Sequence, residues 1–242
     1  MASIKIVSTV VLTESQRSLI RAAAPGAELT DRACRTPDDA RALLADGGDV
    51  LFTFITPNDL EDRAPDLTWV QLLSAGADHA IGTLKSARIT MTTGSGIHAT
   101  PIAEYTIASM LGYAHRFHLM IRAQLRHEWL RSGFPGTVEE MRGKTLGIIG
   151  YGSIGRETAR LGAALGMRVL ALKRDPGNRR DEGWCPAGLG DPDGLIPEKF
   201  FGPEQREEIL RESDYISVTL PLSEHTRKFV GTREIAAMRS GA

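Results

Sequence analysis

A glycine-rich turn between a strand pattern and a helix pattern constrains this chain more than any other feature. The apolar run Leu146–Ile149 leads directly into G-x-G-x-x-G, which here is Gly150-Tyr151-Gly152-Ser153-Ile154-Gly155, and helical spacing of apolar residues follows. In such a unit the first glycine permits the tight turn, the second lets the backbone approach a pyrophosphate, and the third lets the helix pack closely on the sheet. The free N–H groups at the helix start attract phosphates. We therefore predict that these six residues bind a dinucleotide; a purely structural tight turn is the alternative.

Composition narrows the class of protein. The 242 residues are 42 % hydrophobic and 24 % charged, which is typical of a globular protein with sizeable cores. A formal net charge of −1 gives no electrostatic reason to expect nucleic acid or an anionic membrane as a partner. Cys34 and Cys185 are too few for a disulfide framework. No stretch approaches the length of a membrane span and the start carries no cleavage signal, so the sequence favours a cytoplasmic protein.

The first hundred residues alternate between strand and helix patterns. Thr13 and Gln16 form a capping box that predicts a helix to about Ala24, and Pro37 at a first helical position predicts another. We predict short strands at 4–12, 49–54, 69–73 and 88–93. This alternation indicates βαβ units with a parallel sheet. We assign residues 1–98 to a first, substrate-binding lobe.

A second lobe is expected over residues 99–242. It begins with one long connector helix from Pro101 to about Trp129, because apolar residues recur there at helical spacing. After the glycine turn, the sequence predicts a second strand at 166–172 and a third at 214–220. The segment 176–203 is rich in Gly, Pro and Asp without an apolar period, so we interpret it as a surface loop.

Four motifs in this order resemble those of one enzyme family. They are Ser74-Ala75-Gly76-Ala77-Asp78-His79, then Thr92-Thr93-Gly94 leading to Ile102-Ala103-Glu104, then the glycine turn, then Ser217-Val218-Thr219-Leu220-Pro221-Leu222 with Thr226. Together they resemble the D-isomer-specific 2-hydroxyacid dehydrogenases over essentially the whole chain. The resemblance implies a flavodoxin-like substrate lobe and a Rossmann nucleotide lobe on either side of a cleft. It also implies that a nicotinamide cofactor exchanges hydride with a small 2-keto or 2-hydroxy acid.

The resemblance also implies site residues. Backbone N–H groups of Ala75 and Gly76 would bind the substrate carboxylate, since adjacent N–H groups in a turn form an anion-binding nest; an ordinary turn at a strand end is the alternative. Leu220, Pro221 and Thr226 would border the cofactor.

The family's catalytic groups are an arginine, a glutamate and a histidine, and none of them has a matching position here. We therefore expect a C-terminally incomplete chain whose catalytic residues lie beyond Ala242, and which is inactive alone. Of the histidines present, His98 is the first candidate for a substitute acid. A non-enzymatic NAD(P)-binding sensor or scaffold on the same fold is the alternative function.

The residues after the second strand bear on the choice of cofactor. NAD sites place a carboxylate there to bind the ribose 2′-hydroxyl. Here the position holds Lys173, followed by Arg174, and two cations suit a 2′-phosphate. We therefore favour NADP over NAD. In the alternative, both cations are solvated and Asp175 binds the ribose, although Asp175-Pro176-Gly177 is more simply a turn.

Two further expectations concern partners. The connector helix carries apolar residues over more of its circumference than one lobe could cover, and the family commonly dimerises there. A symmetric homodimer through residues 101–129 is therefore predicted. His115 and His118 lie on one helix face, but nothing in the sequence specifies a third ligand, so no metal is expected.

Overall fold

The computed structural model describes residues 3–84, 88–129 and 138–242, and its contacts divide the chain into two units, Met1–Ser95 and Gly96–Ala242. The first unit contains β1 (Lys5–Ser8), α1 (Glu14–Ala23), β2 (Glu28–Asp31), α2 (Pro37–Leu43), β3 (Val50–Thr53), α3 (Leu60–Arg63), β4 (Trp69–Leu72) and β5 (Thr90–Thr92). The second contains α4 (Ala99–Ala114), α5 (Phe117–Leu125), β6 (Thr145–Ile149), α6 (Ser153–Ala164), β7 (Arg168–Leu172), β8 (Lys199–Phe201), α7 (Arg206–Glu212), β9 (Tyr215–Val218) and α8 (Thr232–Ala237). The functions assigned to the two predicted lobes, 1–98 and 99–242, stay predictions.

The first unit is built on a parallel five-stranded sheet in the order β2-β1-β3-β4-β5. This order is that of flavodoxin-like folds. Val7, Leu51 and Val70 lie side by side on one face and are buried in the core of the unit, which also contains Leu60 of α3. None of the ten residues of α1 is buried.

Local signals start two helices of this unit as predicted. The hydroxyl of Thr13 accepts a hydrogen bond from the Gln16 N–H, and the Gln16 side chain accepts one from the Thr13 N–H. Thr36 and Asp39 form the same box, with Pro37 in the first turn of α2. Strand β2 was not predicted. Its sequence, ELTD, is polar because it lies at the edge of the sheet, where its side chains are exposed or half-buried.

The prediction of one continuous connector helix was wrong. Helix α4 ends at Ala114 and α5 begins at Phe117. Between them Arg116 adopts a left-handed conformation with φ = +58°, which ends a helix in the way that a residue just past the C-cap commonly does. The guanidinium of Arg116 lies over the ring of Tyr113, 5.4 Å from its centroid. This contact offsets part of the free-energy cost of the left-handed backbone at Arg116. The sequence also predicts a turn at Gly133-Phe134-Pro135-Gly136, which lies outside the described residues.

The second unit is built on a parallel sheet in the order β8-β7-β6-β9, with a buried apolar layer on each face. Leu146, Ile148 and Val169 point to the layer that contains residues of α4 and α6. Ile149 and Leu170 point to the opposite layer, which contains residues of α7. Helices therefore cover both faces, as a doubly wound fold requires.

The interpretation of 176–203 as an uninterrupted loop was wrong at its end. Residues Lys199–Phe201 form β8, which pairs with β7, and Phe201 is fully buried. Three residues are too few for an apolar period to show in the sequence. No helix in the described parts of the chain is long and apolar enough to cross a membrane.

Candidate functional site

Backbone crowding explains the first and third glycines of the turn. Gly150 has φ = +103°, and a Cβ there would lie 3.0 Å from the backbone nitrogen of Leu220. A Cβ on Gly155 would collide with the carbonyl oxygen of Gly150 and lie 2.9 Å from Cγ2 of Ile148. Both positions therefore exclude any larger residue. They bring β6, α6 and the end of β9 into close contact.

The second glycine is different, because the space beside it is open. A Cβ on Gly152 would have no heavy atom within 4 Å. Gly152 is the N-cap of α6, and no side chain of the described residues caps this helix end. Packing therefore does not require glycine at this position, whereas close approach of a phosphate to the helix N-terminus does.

The other predicted residues of the turn differ in how far their side chains are exposed to solvent. Ser153 and Ile154 are half-buried in the first turn of α6. Tyr151 is buried, its hydroxyl donates to Oδ2 of Asp191 at 2.6 Å, and its ring meets Phe200 edge-on. Burial and the neighbouring carboxylate raise the pKa of the Tyr151 phenol. Only the backbone of Tyr151 is therefore placed to meet a ligand at the turn.

The predicted residues after β9 separate into two groups. Leu220 borders the glycine turn, as its contact with Gly150 shows. The hydroxyl of Thr226 donates to the carbonyl oxygen of Pro221 and accepts a hydrogen bond of 2.8 Å from the N–H of Ser223. Thr226 therefore closes the local turn that contains Pro221.

The two predicted cations also play different parts. The Gly150 N–H donates to the carbonyl oxygen of Leu172 at 3.0 Å, so Lys173 follows β7 directly beside the glycine turn. The ammonium of Lys173 donates to the carbonyl oxygens of Asn178 and Arg180, and burial, with a smaller effect of Arg156, lowers its pKa. Arg174 is exposed and forms no ion pair with any described residue. Of the two cations, Arg174 is the one available to a ligand.

Asp175, the alternative ribose ligand, is used by its own turn. Its Oδ1 accepts hydrogen bonds from the N–H groups of Gly177, at 3.0 Å, and Asn178. This is the turn that the sequence predicts at Asp175-Pro176-Gly177.

A cluster of buried polar side chains next to the glycine turn was not predicted from the sequence. Arg156 and Glu157, in α6, are only 2 % and 1 % exposed. Asp191, from the segment before β8, is buried with them and accepts the Tyr151 hydrogen bond. No local signal marks this pair, because two adjacent charged residues can both lie on the solvent-facing side of a helix. We call these four residues, Tyr151, Arg156, Glu157 and Asp191, the loop clamp.

The predicted substrate turn lies at the carboxyl end of β4, where ligands bind in open α/β sheets. The hydroxyl of Ser74 donates to the carbonyl oxygen of Gly76 at 2.7 Å, and the Gly94 N–H donates to the carbonyl oxygen of Ser74. The N–H groups of Ala75 and Gly76 donate to no acceptor among the described residues. They are therefore available to an anion.

Histidines are dispersed. His98 is the N-cap residue of α4, and His115 is the C-cap residue of the same helix. Within residues 3–84, 88–129 and 138–242, no group of three His, Cys, Asp or Glu side chains could hold a metal ion.

Comparison with known proteins decides the family. Residues 107–242 match the NAD binding domain of D-isomer specific 2-hydroxyacid dehydrogenases, which is more than half of the chain. The chain belongs to this family.

Curated relatives match over most of this chain. A glyoxylate reductase of Aeropyrum pernix is 32 % identical over 226 residues, which cover 89 % of this chain and 62 % of the relative. An (S)-sulfolactate dehydrogenase of Chromohalobacter salexigens is 28 % identical over 211 residues, 85 % of this chain and 63 % of the relative. The chain thus spans slightly less than two thirds of the length of these relatives.

Solved structures share the fold. A family member from Aeromonas salmonicida superimposes with a TM-score of 0.77 at 22 % identity, covering 100 % of this chain and 71 % of that one. An NADPH-dependent glyoxylate/hydroxypyruvate reductase from Sinorhizobium meliloti, in complex with NADP and sulfate, gives 0.73 at 21 % identity, covering 98 % and 68 %. The paired Rossmann-like α/β architecture is therefore that of the family.

Proposed function

We propose that the protein to which this chain belongs is an NAD(P)-dependent oxidoreductase that transfers hydride between a nicotinamide cofactor and a small 2-keto or 2-hydroxy acid. The observation that carries the proposal is the open space beside Gly152, in front of the uncapped N-terminus of α6. The curated relatives include a glyoxylate reductase and hydroxypyruvate reductases, which supports a small 2-keto acid as substrate.

In this proposal the second unit binds the cofactor. The first turn of α6, with Gly152, Ser153 and Ile154, would meet the pyrophosphate, and Leu220 would border it. NADP is favoured over NAD because the exposed guanidinium of Arg174 follows the second strand of the sheet and suits a 2′-phosphate. The cofactor supplies the hydride.

The first unit would bind the substrate. The N–H groups of Ala75 and Gly76 would hold its carboxylate as adjacent donors in a turn. No residue of this chain is assigned as the acid that protonates the developing alkoxide, and a homodimer through residues 101–129 is part of the proposal.

Nucleotide binding is the first test. Titration of the 242 residues with NADPH and with NADH, followed by nucleotide fluorescence, should give saturable binding with the tighter dissociation constant for NADPH. Absence of binding to either nucleotide would contradict the proposal.

Turnover is the second test. Oxidation of NADPH is followed with glyoxylate, hydroxypyruvate and pyruvate, both with the 242 residues and with the protein that contains them. We expect turnover only from the latter, and nucleotide binding without turnover there would favour the sensor or scaffold. A rate from the 242 residues within tenfold of a family member would show that a residue present here, with His98 the first candidate, serves as the acid.

A further inference from the structure

The segment between β7 and β8, residues 173–198, is irregular but is anchored by buried side chains. Arg156 makes three of these contacts with one guanidinium. It donates to the carbonyl oxygen of Asp191, donates to that of Arg179 at 2.7 Å, and pairs with Oδ2 of Asp181 at 3.3 Å. One side chain of α6 thus joins three points of the segment that lie up to twelve positions apart in sequence.

The rest of the loop clamp holds the far end of the segment. The carboxylate of Asp191 accepts hydrogen bonds from the Tyr151 hydroxyl and from the N–H groups of Leu195 and Ile196. Glu157 accepts a hydrogen bond of 2.6 Å from the N–H of Gly190. A buried charge is stable only when it is paired and hydrogen-bonded, so these contacts depend on one another.

The near end of the segment is held by Lys173, whose ammonium binds the carbonyl oxygens of Asn178 and Arg180. Lys173 and Arg156 therefore hold the same short stretch, because both bind carbonyl oxygens within 178–180. Arg174, the second residue after β7, lies in this stretch and is exposed to solvent. A loop that is already ordered binds its ligand without the entropic cost of ordering at that moment.

We propose that Arg156 is a positioning residue which, through its contacts with residues 179, 181 and 191, holds the β7–β8 segment so that Arg174 meets the 2′-phosphate of NADP. This inference rests on the proposed function. Arg156 is buried in its contacts with the segment. It therefore acts on discrimination between NADP and NAD, which differ only in that phosphate.

The test is Arg156→Lys. Lysine keeps the positive charge but lacks the planar guanidinium that lets arginine reach three acceptors at once. We expect the dissociation constant for NADPH to rise about 3- to 30-fold, as other mutations that act through a neighbouring element do. The constant for NADH should change by less than about threefold, because NADH has no 2′-phosphate for Arg174 to meet. Tyr151→Phe removes one hydrogen bond to Asp191 and keeps the ring packing, so it should give a smaller shift in the same direction.

Arg211→Lys is the matched control, because the one ion pair of Arg211 among the described residues is a surface pair with Glu207 in α7. It should leave both constants unchanged. A second measurement is limited trypsin digestion, in which cleavage after Arg179 and Arg180 should be faster in Arg156→Lys than in the wild type or the control.

The outcomes separate this inference from the function on which it rests. Equal loss of NADPH and NADH binding in Arg156→Lys, or no change in either constant or in cleavage, would overturn the positioning role and leave the proposed function standing. Wild-type protein that binds neither nucleotide would overturn both. A wild-type preference for NADH would overturn the role assigned to Arg174 and this inference with it.

Discussion

The hydroxyl of Thr219 donates a hydrogen bond of 2.7 Å to the carbonyl oxygen of Gly150, which lies 69 residues earlier in the chain. The bond joins the end of β9 to the glycine turn, and the Thr219 N–H is bound to Ile149 in the same place. The turn is therefore fixed by two neighbouring strands as well as by its own glycines. A change at Gly152, whose Cβ position is open, should leave this arrangement intact.

Gly152→Leu should abolish cofactor binding while the chain still unfolds cooperatively, because the new side chain would occupy the place of the pyrophosphate. Fluorescence titration with NADPH measures the binding, and circular dichroism during heating measures the unfolding. Gly82→Leu is the control, since a Cβ on Gly82 also has open space but lies in the first unit. Unchanged affinity in Gly152→Leu would show that the motif is only a turn.

Arg174→Ser should weaken NADPH binding about 10- to 100-fold, because a charge-assisted hydrogen bond contributes about 1.5–3 kcal/mol. NADH binding should not change. The control is Arg35→Ser, at an exposed position of the first unit. If the two nucleotides lose affinity equally in Arg174→Ser, the preference for NADP has another source.

Leu125→Glu should convert a symmetric homodimer into a monomer. Leu125 is the last residue of α5, and 77 % of its surface is exposed. Tyr105 and Trp129, which also lie within the predicted interface 101–129, are exposed as well. Light scattering of the protein at micromolar concentration gives the mass. Leu195→Glu, at a leucine 79 % exposed in the β7–β8 segment, should leave the dimer intact. A monomeric wild type would contradict the predicted interface.

Glu157→Gln should lower the thermal stability at pH 7. In acid the substitution should no longer destabilise the protein. The ion pair with Arg160, then the hydrogen bond from Gly190, lowers the pKa of Glu157. A lowered folded-state pKa stabilises the protein above the unfolded value of about 4.3, and this contribution disappears as the pH falls through the folded value. The difference in Tm between wild type and variant should thus be constant from pH 7 to about 5 and shrink below about 4.3.

Glu224→Gln is the control for that experiment, because Glu224 is exposed and forms no ion pair with the described residues. Its Tm should follow that of the wild type at every pH. A Glu157→Gln difference that grows in acid would mean that the carboxylate is not stabilised in its charged form.

Features that depend on neighbouring residues could be predicted from the sequence, and those that depend on distant ones could not. The capping box of Thr13 and Gln16 and the start of α2 at Pro37 each follow from a few neighbouring residues, and both are confirmed. The left-handed turn at Arg116 has no such local signal, because arginine rarely adopts positive φ. Strand β8 requires pairing with β7, which no pattern of three residues specifies.

The candidate site divides in the same way. The glycine turn could be predicted because each glycine answers a constraint of the strand-turn-helix unit itself. The different parts played by Lys173 and Arg174 could not, since they depend on where the carbonyl groups of residues 178–180 lie. The burial of Arg156 likewise depends on Asp191, which lies 35 residues further along the chain.

The β7–β8 segment has no strand or helix between Leu172 and Lys199, so its order depends on side chains of α6 instead of a backbone ladder. Within the loop clamp, Tyr151 and Arg156 both donate hydrogen bonds to Asp191, and Glu157 binds the adjacent Gly190. Loss of one contact therefore leaves buried polar groups of the remaining members without a partner. Such a segment opens as a single cooperative unit and does not fray gradually from one end. In amide hydrogen exchange, the protected N–H groups of Gly190, Leu195 and Ile196 should accordingly report one common opening, below the free energy of global unfolding.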